Sequence, residues 1–180
     1  MNKLRASVQR GFTLVELVIV VLILSVLAAI VIPQFTSSTD DAKVAALDSS
    51  LSGVRTAIDM YYQNHGHYPG SVVSSGLVTC VGGTAGAALA NTEAAFLDHL
   101  TRYTNAAGQS CSTTSSGAFP FGPYYKKDRL PKDPIVGNLD TVTVVSTGNL
   151  EMTATGTLGG WLFDSQTGKF IVNHTSYDDR

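Results

Sequence analysis

Charge is scarce in this 180-residue chain: Asp, Glu, Lys and Arg make up only 14% of it, tryptophan occurs once and cysteine twice. No stripe of Lys and Arg interleaved with aromatics is present, so the electrostatic footprint of a nucleic-acid binder is missing. No serine sits in a Gly-x-Ser-x-Gly elbow. The Gly-rich run Gly82-Gly83-Thr84-Ala85-Gly86 lacks the Lys-Ser/Thr that a phosphate loop requires, and reads as a flexible loop. The histidines, at 65, 67, 99 and 174, and the two cysteines have no motif spacing. With no nucleophile-plus-base constellation, the chain reads as a protein that is not an enzyme.

What the chain has instead is one concentrated block of apolar residues. Hydrophobic side chains reach 44% overall, and Leu17 to Pro33 contains a single polar residue, Ser25. From Phe12 to Phe35 the only polar residues are Thr13, Glu16, Ser25 and Gln34. As a helix this stretch is roughly 36 Å long, enough for the roughly 30 Å hydrocarbon core of a bilayer. Lys3, Arg5 and Arg10 precede it with no acid among them, and Asp40 and Asp41 follow it. That asymmetry keeps residues 1–11 in the cytoplasm and sends the C-terminal part across the membrane. Losing the leader removes three of the 12 basic residues and none of the 14 acidic ones, leaving a net charge of −5.

A secretory signal is one rival reading, but its apolar core is shorter and ends at a small-residue cleavage site. Here Ala28-Ala29 is followed by Ile30-Val31-Ile32, so a cut there would leave an apolar end. An uncleaved anchor is the second rival. Glu16 bears on the choice, because an isolated carboxylate in an apolar span costs a few kcal/mol on insertion scales. No Lys or Arg lies between Phe12 and Gln34 to pair with it. A cut between Gly11 and Phe12 creates a positive α-amino group at membrane depth, which can pair with Glu16 of the same chain or of a neighbour. The alternative for Glu16 is to snorkel toward the headgroups.

The segment Arg10-Gly11-Phe12-Thr13-Leu14-Val15-Glu16, with its basic leader and following apolar run, resembles the prepilin signature of type IV pilins and type II secretion pseudopilins. The resemblance is close over residues 3–35. It implies that a membrane prepilin peptidase cuts after Gly11 and methylates Phe12, and that Glu16 is the assembly carboxylate. Its other implied partners are identical or related pilin subunits, an inner-membrane assembly platform and a cytoplasmic ATPase. Pro33 stands where that family often has a helix-kinking proline; it removes the bond its N–H would make to the Ala29 carbonyl. Ser25 stands near a place where the family often has a helix-breaking glycine.

Beyond Gln34 the pattern becomes amphipathic. Leu47, Leu51, Val54, Ile58 and Tyr61 recur at spacings of four and three, which puts them on one helical stripe that packs on the domain it carries. Gly66 is the expected helix stop, with Pro69 beyond it. The segment Tyr61 to Pro69 also resembles the helix exit of pseudopilins, and His65 and His67 in it read as a solvated turn rather than a metal site. A short helix is expected from Glu93 to Tyr103, capped by Asn91 or Thr92. Thr141 to Thr147 is strand-like. Trp161-Leu162-Phe163 and Phe170-Ile171-Val172 flank a Gly-containing turn and read as a hairpin, with Trp161 and Phe163 covering the long helix.

The expected organisation is therefore a leader at 1–11, an apolar assembly helix at 12–35, an amphipathic helix at 36–65 and a β-rich globular domain at 66–180. The fold class is α+β, which the resemblance sharpens to a pilin-like long helix on a small antiparallel sheet. Outside the cytoplasm Cys80 and Cys111 are expected to pair across their Gly/Ser/Thr-rich loop; the alternative is two unrelated core residues. Leu130 to Pro134 and Gly160 to Lys169 resemble the major pseudopilins, in which a C-terminal loop can hold calcium. Asp133, Asp140 and Asp164 are the candidate calcium ligands, with turn capping as the other account. After Pro134 the chain departs from that family, with Ile135-Val136-Gly137 in place of an aromatic-Gly pair.

These expectations point to a filament subunit anchored in the inner membrane, its N-terminus cytoplasmic and its C-terminal domain periplasmic or extracellular. A secretion pseudopilin is the first reading and a surface pilin for adhesion, motility or DNA uptake the second. A membrane-anchored binding module that never polymerises is the third.

Overall fold

The computed structural model describes residues 12–76, 80–111, 117–137 and 139–180, with the side chains of Pro33, Thr36 and Ser37 left aside. Helix α1 (Leu14–His65) is followed by α2 (Glu93–Thr101) and five short strands: β1 (Tyr103–Thr104), β2 (Ser110–Cys111), β3 (Val142–Val145), β4 (Trp161–Asp164) and β5 (Phe170–Val172). Contacts divide the chain into two compact units, one ending at Ala42 and the other running Lys43–Arg180.

In the first unit Leu14–Ile32 is long and apolar enough to cross a membrane, and none of it is buried. Leu14, Leu17, Leu22, Leu27 and Ile32 are all more than half exposed, so the apolar surface covers every face rather than one stripe. The Ser25 hydroxyl donates to the Val21 carbonyl at 2.7 Å, which satisfies the one polar side chain in the middle of the run within the helix itself. The helix continues through Pro33 without a break.

In the second unit α1 changes character. Leu47, Leu51, Val54, Ile58 and Tyr61 are each buried to 1% exposure or less, which is the stripe read from the spacing. They share a core with Phe96 and Leu100 of α2, Trp161 and Phe163 of β4, and Phe170 and Val172 of β5. Gly66 ends the helix with a left-handed φ of 73°, donating its N–H to the Tyr62 carbonyl at 2.8 Å. Thr92 caps α2 by accepting the Ala95 N–H, and α2 stops at Thr101 rather than Tyr103, whose residue instead starts β1.

The sheet order is β3-β4-β5. The β4–β5 hairpin is antiparallel, with Trp161 opposite Val172 and Phe163 opposite Phe170. Strands β1 and β2 also pair antiparallel. Strand β3 differs from the antiparallel expectation: it lies parallel to β4, Val142 beside Trp161. Residues 146–160 supply the crossover that parallel pairing needs. Trp161, Leu162, Phe163 and Asp164 are all buried, because β4 is central and covered on both faces. Trp161 and Phe163 meet the helices, while Leu162 packs with Ile171 and Met152 on the other side.

Candidate functional site

At the start of α1 three hydrogen bonds join two residues. The Thr13 N–H donates to Glu16 Oε2 at 3.0 Å and the Thr13 hydroxyl donates to the same oxygen at 2.8 Å. The Glu16 N–H donates back to Thr13 Oγ1 at 3.2 Å. This is a capping box: a Thr three residues before a Glu, each satisfying a backbone donor of the other. All the donors described use Oε2. Glu16 thus has a local role, closing the first turn, which the sequence reading overlooked although Thr13-Leu14-Val15-Glu16 spells the motif. Phe12 precedes the cap and is 80% exposed. Gly11, the residue before the expected cut, lies outside the described residues. Pro33 is in the helix, and its side chain is likewise not described.

Cys80 and Cys111 form a disulfide, with Cα atoms 5.5 Å apart and a sequence separation of 31. Cys111 is buried in β2, and Ala85 bridges to it from the Gly-rich loop. The bond therefore fastens that loop to the β1–β2 pair.

The three aspartates considered for calcium serve separate local tasks. Asp133 is buried; its Oδ1 accepts the Ile135 N–H at 2.8 Å and its Oδ2 the Gly160 N–H at 3.2 Å. Asp140 pairs with Arg129 at 3.6 Å. Asp164 Oδ2 accepts from the Thr147 hydroxyl at 2.6 Å and the Asn149 N–H at 3.2 Å, and its Oδ1 accepts the Gln166 N–H at 2.8 Å. Among the described residues no group of three His, Cys, Asp or Glu side chains is arranged to hold a metal. Asp133 and Asp164 use both their oxygens as acceptors for donors of the chain itself, which is the turn-capping role.

These features define a class: an apolar N-terminal helix with a capped first turn, continued into a helix that carries small sheets in an α+β, pilin-like fold. The sequence comparisons agree. Residues 6–32 match the model of the prokaryotic N-terminal methylation motif. The chain is 40% identical over 73 residues to a fimbrial protein of Neisseria meningitidis serogroup B, covering 41% of this chain and 43% of that one. It is 44% identical over 61 residues to the type II secretion system core protein G of Pseudomonas aeruginosa, covering 34% and 43%. Against the core protein G of Klebsiella michiganensis the likeness is weaker, 25%, but extends over 174 residues, 94% of this chain and 99% of the relative. The stronger matches thus span 43% of the length of the relatives concerned. No solved structure is significantly similar. The chain carries the prepilin-type methylation motif, and its relatives are type IV pilins and type II secretion core protein G; these are structural proteins, not enzymes.

Proposed function

We propose that this chain is a type II secretion pseudopilin, a filament subunit whose work is mechanical rather than catalytic. A prepilin peptidase cuts between Gly11 and Phe12 and methylates the new N-terminus. The apolar helix then holds the subunit in the inner membrane, with the domain beyond it in the periplasm. An assembly platform and a cytoplasmic ATPase supply the work that draws it into the filament. Extraction exchanges lipid contacts for helix–helix contacts, which are driven by packing rather than by burial from water.

The observation that carries this reading is the charge pattern of the N-terminus. Glu16 sits in a span without a Lys or Arg, behind a leader whose removal creates one cation at Phe12. An incoming subunit whose Phe12 amine meets Glu16 of a neighbour neutralises a charge the apolar surroundings penalise, and that fixes register. The match to core protein G along 94% of the chain supports secretion over the surface.

Mass analysis of the mature N-terminus tests processing: a start at methylated Phe12 is expected, and a start at Met1 in a host with the peptidase overturns it. Deleting the gene tests the choice within the class, with loss of secreted protein expected. The fimbrial relatives and the disulfide-fastened loop favour a second reading, a surface pilin. Long filaments in the sheared surface fraction, with secretion intact, would establish that reading instead.

A further inference from the structure

Three of the four histidines gather around one buried tyrosine where α1 ends. Tyr61 is fully buried. The His65 ring stacks on it with centroids 4.1 Å apart, the His99 ring stacks at 5.2 Å, and His67 meets it edge-on at 5.6 Å. His65 and His67 are themselves 5.7 Å apart. The turn carrying His65 and His67 is therefore not solvated throughout, as the sequence suggested: His65 is half-buried and His99 of α2 fully so.

Each ring is tied to a different piece of chain. His99 Nδ1 accepts the Gly70 N–H at 2.7 Å, which places the proton of the neutral ring on Nε2. His65 Nε2 lies 3.0 Å from the Thr104 hydroxyl and 3.1 Å from the Tyr124 hydroxyl. Gly108 is pressed against the cluster: a Cβ there would stand 3.1 Å from the Tyr61 hydroxyl and 3.2 Å from His67 Cε1. The imidazoles thus join the end of α1, the segment 66–76, α2 and the turn between β1 and β2.

Among the described residues no acid in contact with these rings favours their charging. From α1 and the turn after it the titratable neighbours are Tyr61, Tyr62 and Tyr68, the last two stacked on each other at 4.4 Å. From the segment after β2 the neighbour is Tyr124, 5.4 Å from Tyr61. On α2 the carboxylate of Asp98 is engaged by the Ser74 hydroxyl at 2.7 Å and by Arg102 at 3.1 Å. The turn between β1 and β2 contributes no ionisable side chain. Burial pushes His99 down to about 3, helped by the charges of His67 and His65 and opposed by the backbone of Gly108 and Val73. Burial also pushes His65 down to about 4, opposed by the backbone of Ala106 and helped by His67.

We propose that His65 and His99 form an acid-operated latch, closing this corner of the domain when neutral and letting it open when protonated, while the rest of the core stays shut. A proton on His99 Nδ1 would set N–H against the Gly70 N–H and abolish that bond. Two charged rings flanking Tyr61 would also repel. The opening is confined because the rings of Trp161, Phe163 and Phe170 in β4 and β5 pack on one another and on Phe96 rather than on the histidines, and His174 packs elsewhere, on Tyr177. The disulfide limits how far the corner moves, since Cys111 of β2, the strand that follows the turn, stays bonded to Cys80.

Amide hydrogen exchange on the full chain in detergent micelles, corrected for the intrinsic effect of pH, tests this directly. Each ring that takes a proton only in the open form raises the opening constant about tenfold per pH unit below roughly 6.5. Amides of Val72–Ser74 and Gly108–Ser110 are therefore expected to exchange at least about tenfold faster at pH 5 than at pH 7.5, with Leu162 and Ile171 unchanged. Equal exchange at both pH values overturns the latch, and so does acceleration of Leu162 and Ile171 in step, which is global unfolding. The double variant H65Q/H99N keeps an acceptor near Nε2 of the first ring and Nδ1 of the second but cannot titrate, so it should lose the response; a retained response overturns the proposal. Should that variant fail to fold, histidine NMR titration of the native chain decides: His65 and His99 are expected to titrate well below 6.5, and ordinary titration without a change in exchange overturns it.

Discussion

Both the backbone N–H and the hydroxyl of Thr13 donate to a single oxygen of Glu16, and the Glu16 N–H donates back to the hydroxyl. The carboxylate proposed to receive a neighbour's amine is thus already a structural part of its own helix. Substitutions can separate the two roles. E16Q retains the amide oxygen a capping box needs and loses only the charge. E16A loses both. Filament yield is expected to fall sharply in E16Q and E16A alike, with cleavage at Gly11 intact in each. Fraying of the Leu14–Leu17 amides by NMR in micelles is expected only in E16A and T13A, where a lost cap costs about 1 kcal/mol. Normal filaments from E16Q would show that the charge is not what matters.

The disulfide gives a second prediction. Closing a loop of this length stabilises by about 3–4 kcal/mol in the chain-entropy picture. Reduction, or C80S/C111S, should lower the urea midpoint of the domain accordingly, read by Trp161 fluorescence. A midpoint unchanged by reductant would mean that the unfolded loop is already compact.

Asp164 offers a test by pH. Burial raises its pKa, but hydrogen bonds from Thr147, Gln166, Asn149 and Thr167 outweigh that and hold it below the ordinary aspartate value. A carboxyl whose folded pKa is depressed adds stability above the unfolded value, near 3.9, and loses it as pH falls through the folded one. The domain should therefore lose stability below about pH 4 partly through Asp164. D164N should be less stable at pH 7, by roughly 1.5–3 kcal/mol for the charged hydrogen bonds weakened. It should also fall less steeply in acid. Parallel pH curves for the two proteins would remove Asp164 from the account.

Arg55 donates from Nε at 3.0 Å and from Nη2 at 2.8 Å to the carbonyl of Phe170 in β5. It also donates to the Arg180 carbonyl. R55M should destabilise the domain by roughly 1–3 kcal/mol, because it leaves a part-buried carbonyl without its donors. R55K should recover little, since an ammonium does not reproduce the two-pronged geometry. Equal urea midpoints for R55K and the native chain would show that charge alone suffices.

Periodicity carried much of this architecture. The spacing of Leu47, Leu51, Val54, Ile58 and Tyr61 marks a buried face because a helix brings every third or fourth residue to one side. The Thr92 cap, the Gly66 stop and the Trp161-to-Val172 hairpin are likewise local, each set by a few neighbouring residues. What escaped the sequence is non-local. Nothing in Val142–Val145 says which way a strand runs beside Trp161–Asp164, since alternation is the same in both directions. The two-residue strands at Tyr103–Thr104 and Ser110–Cys111 are too short to show a period. His99 meets Tyr61 only because α2 folds back over α1, so an unremarkable histidine became part of a cluster. At the N-terminus the motif residues stood out by type, whereas the hydrogen bonds of Thr13 depend on where the first turn begins.

The bond between Arg55 and Phe170 joins residues 115 positions apart. In the proposed topology the chain crosses the membrane with α1 leading and β5 near the last to arrive. The apolar stripe of α1 then reaches the far side long before the strands that cover it. Translocation accordingly delivers an open thread, and the domain snaps shut only after almost the whole chain has crossed. Contacts this distant also make closure slow. During that interval the stripe from Leu47 to Tyr61 lacks the strands that bury it in the finished domain.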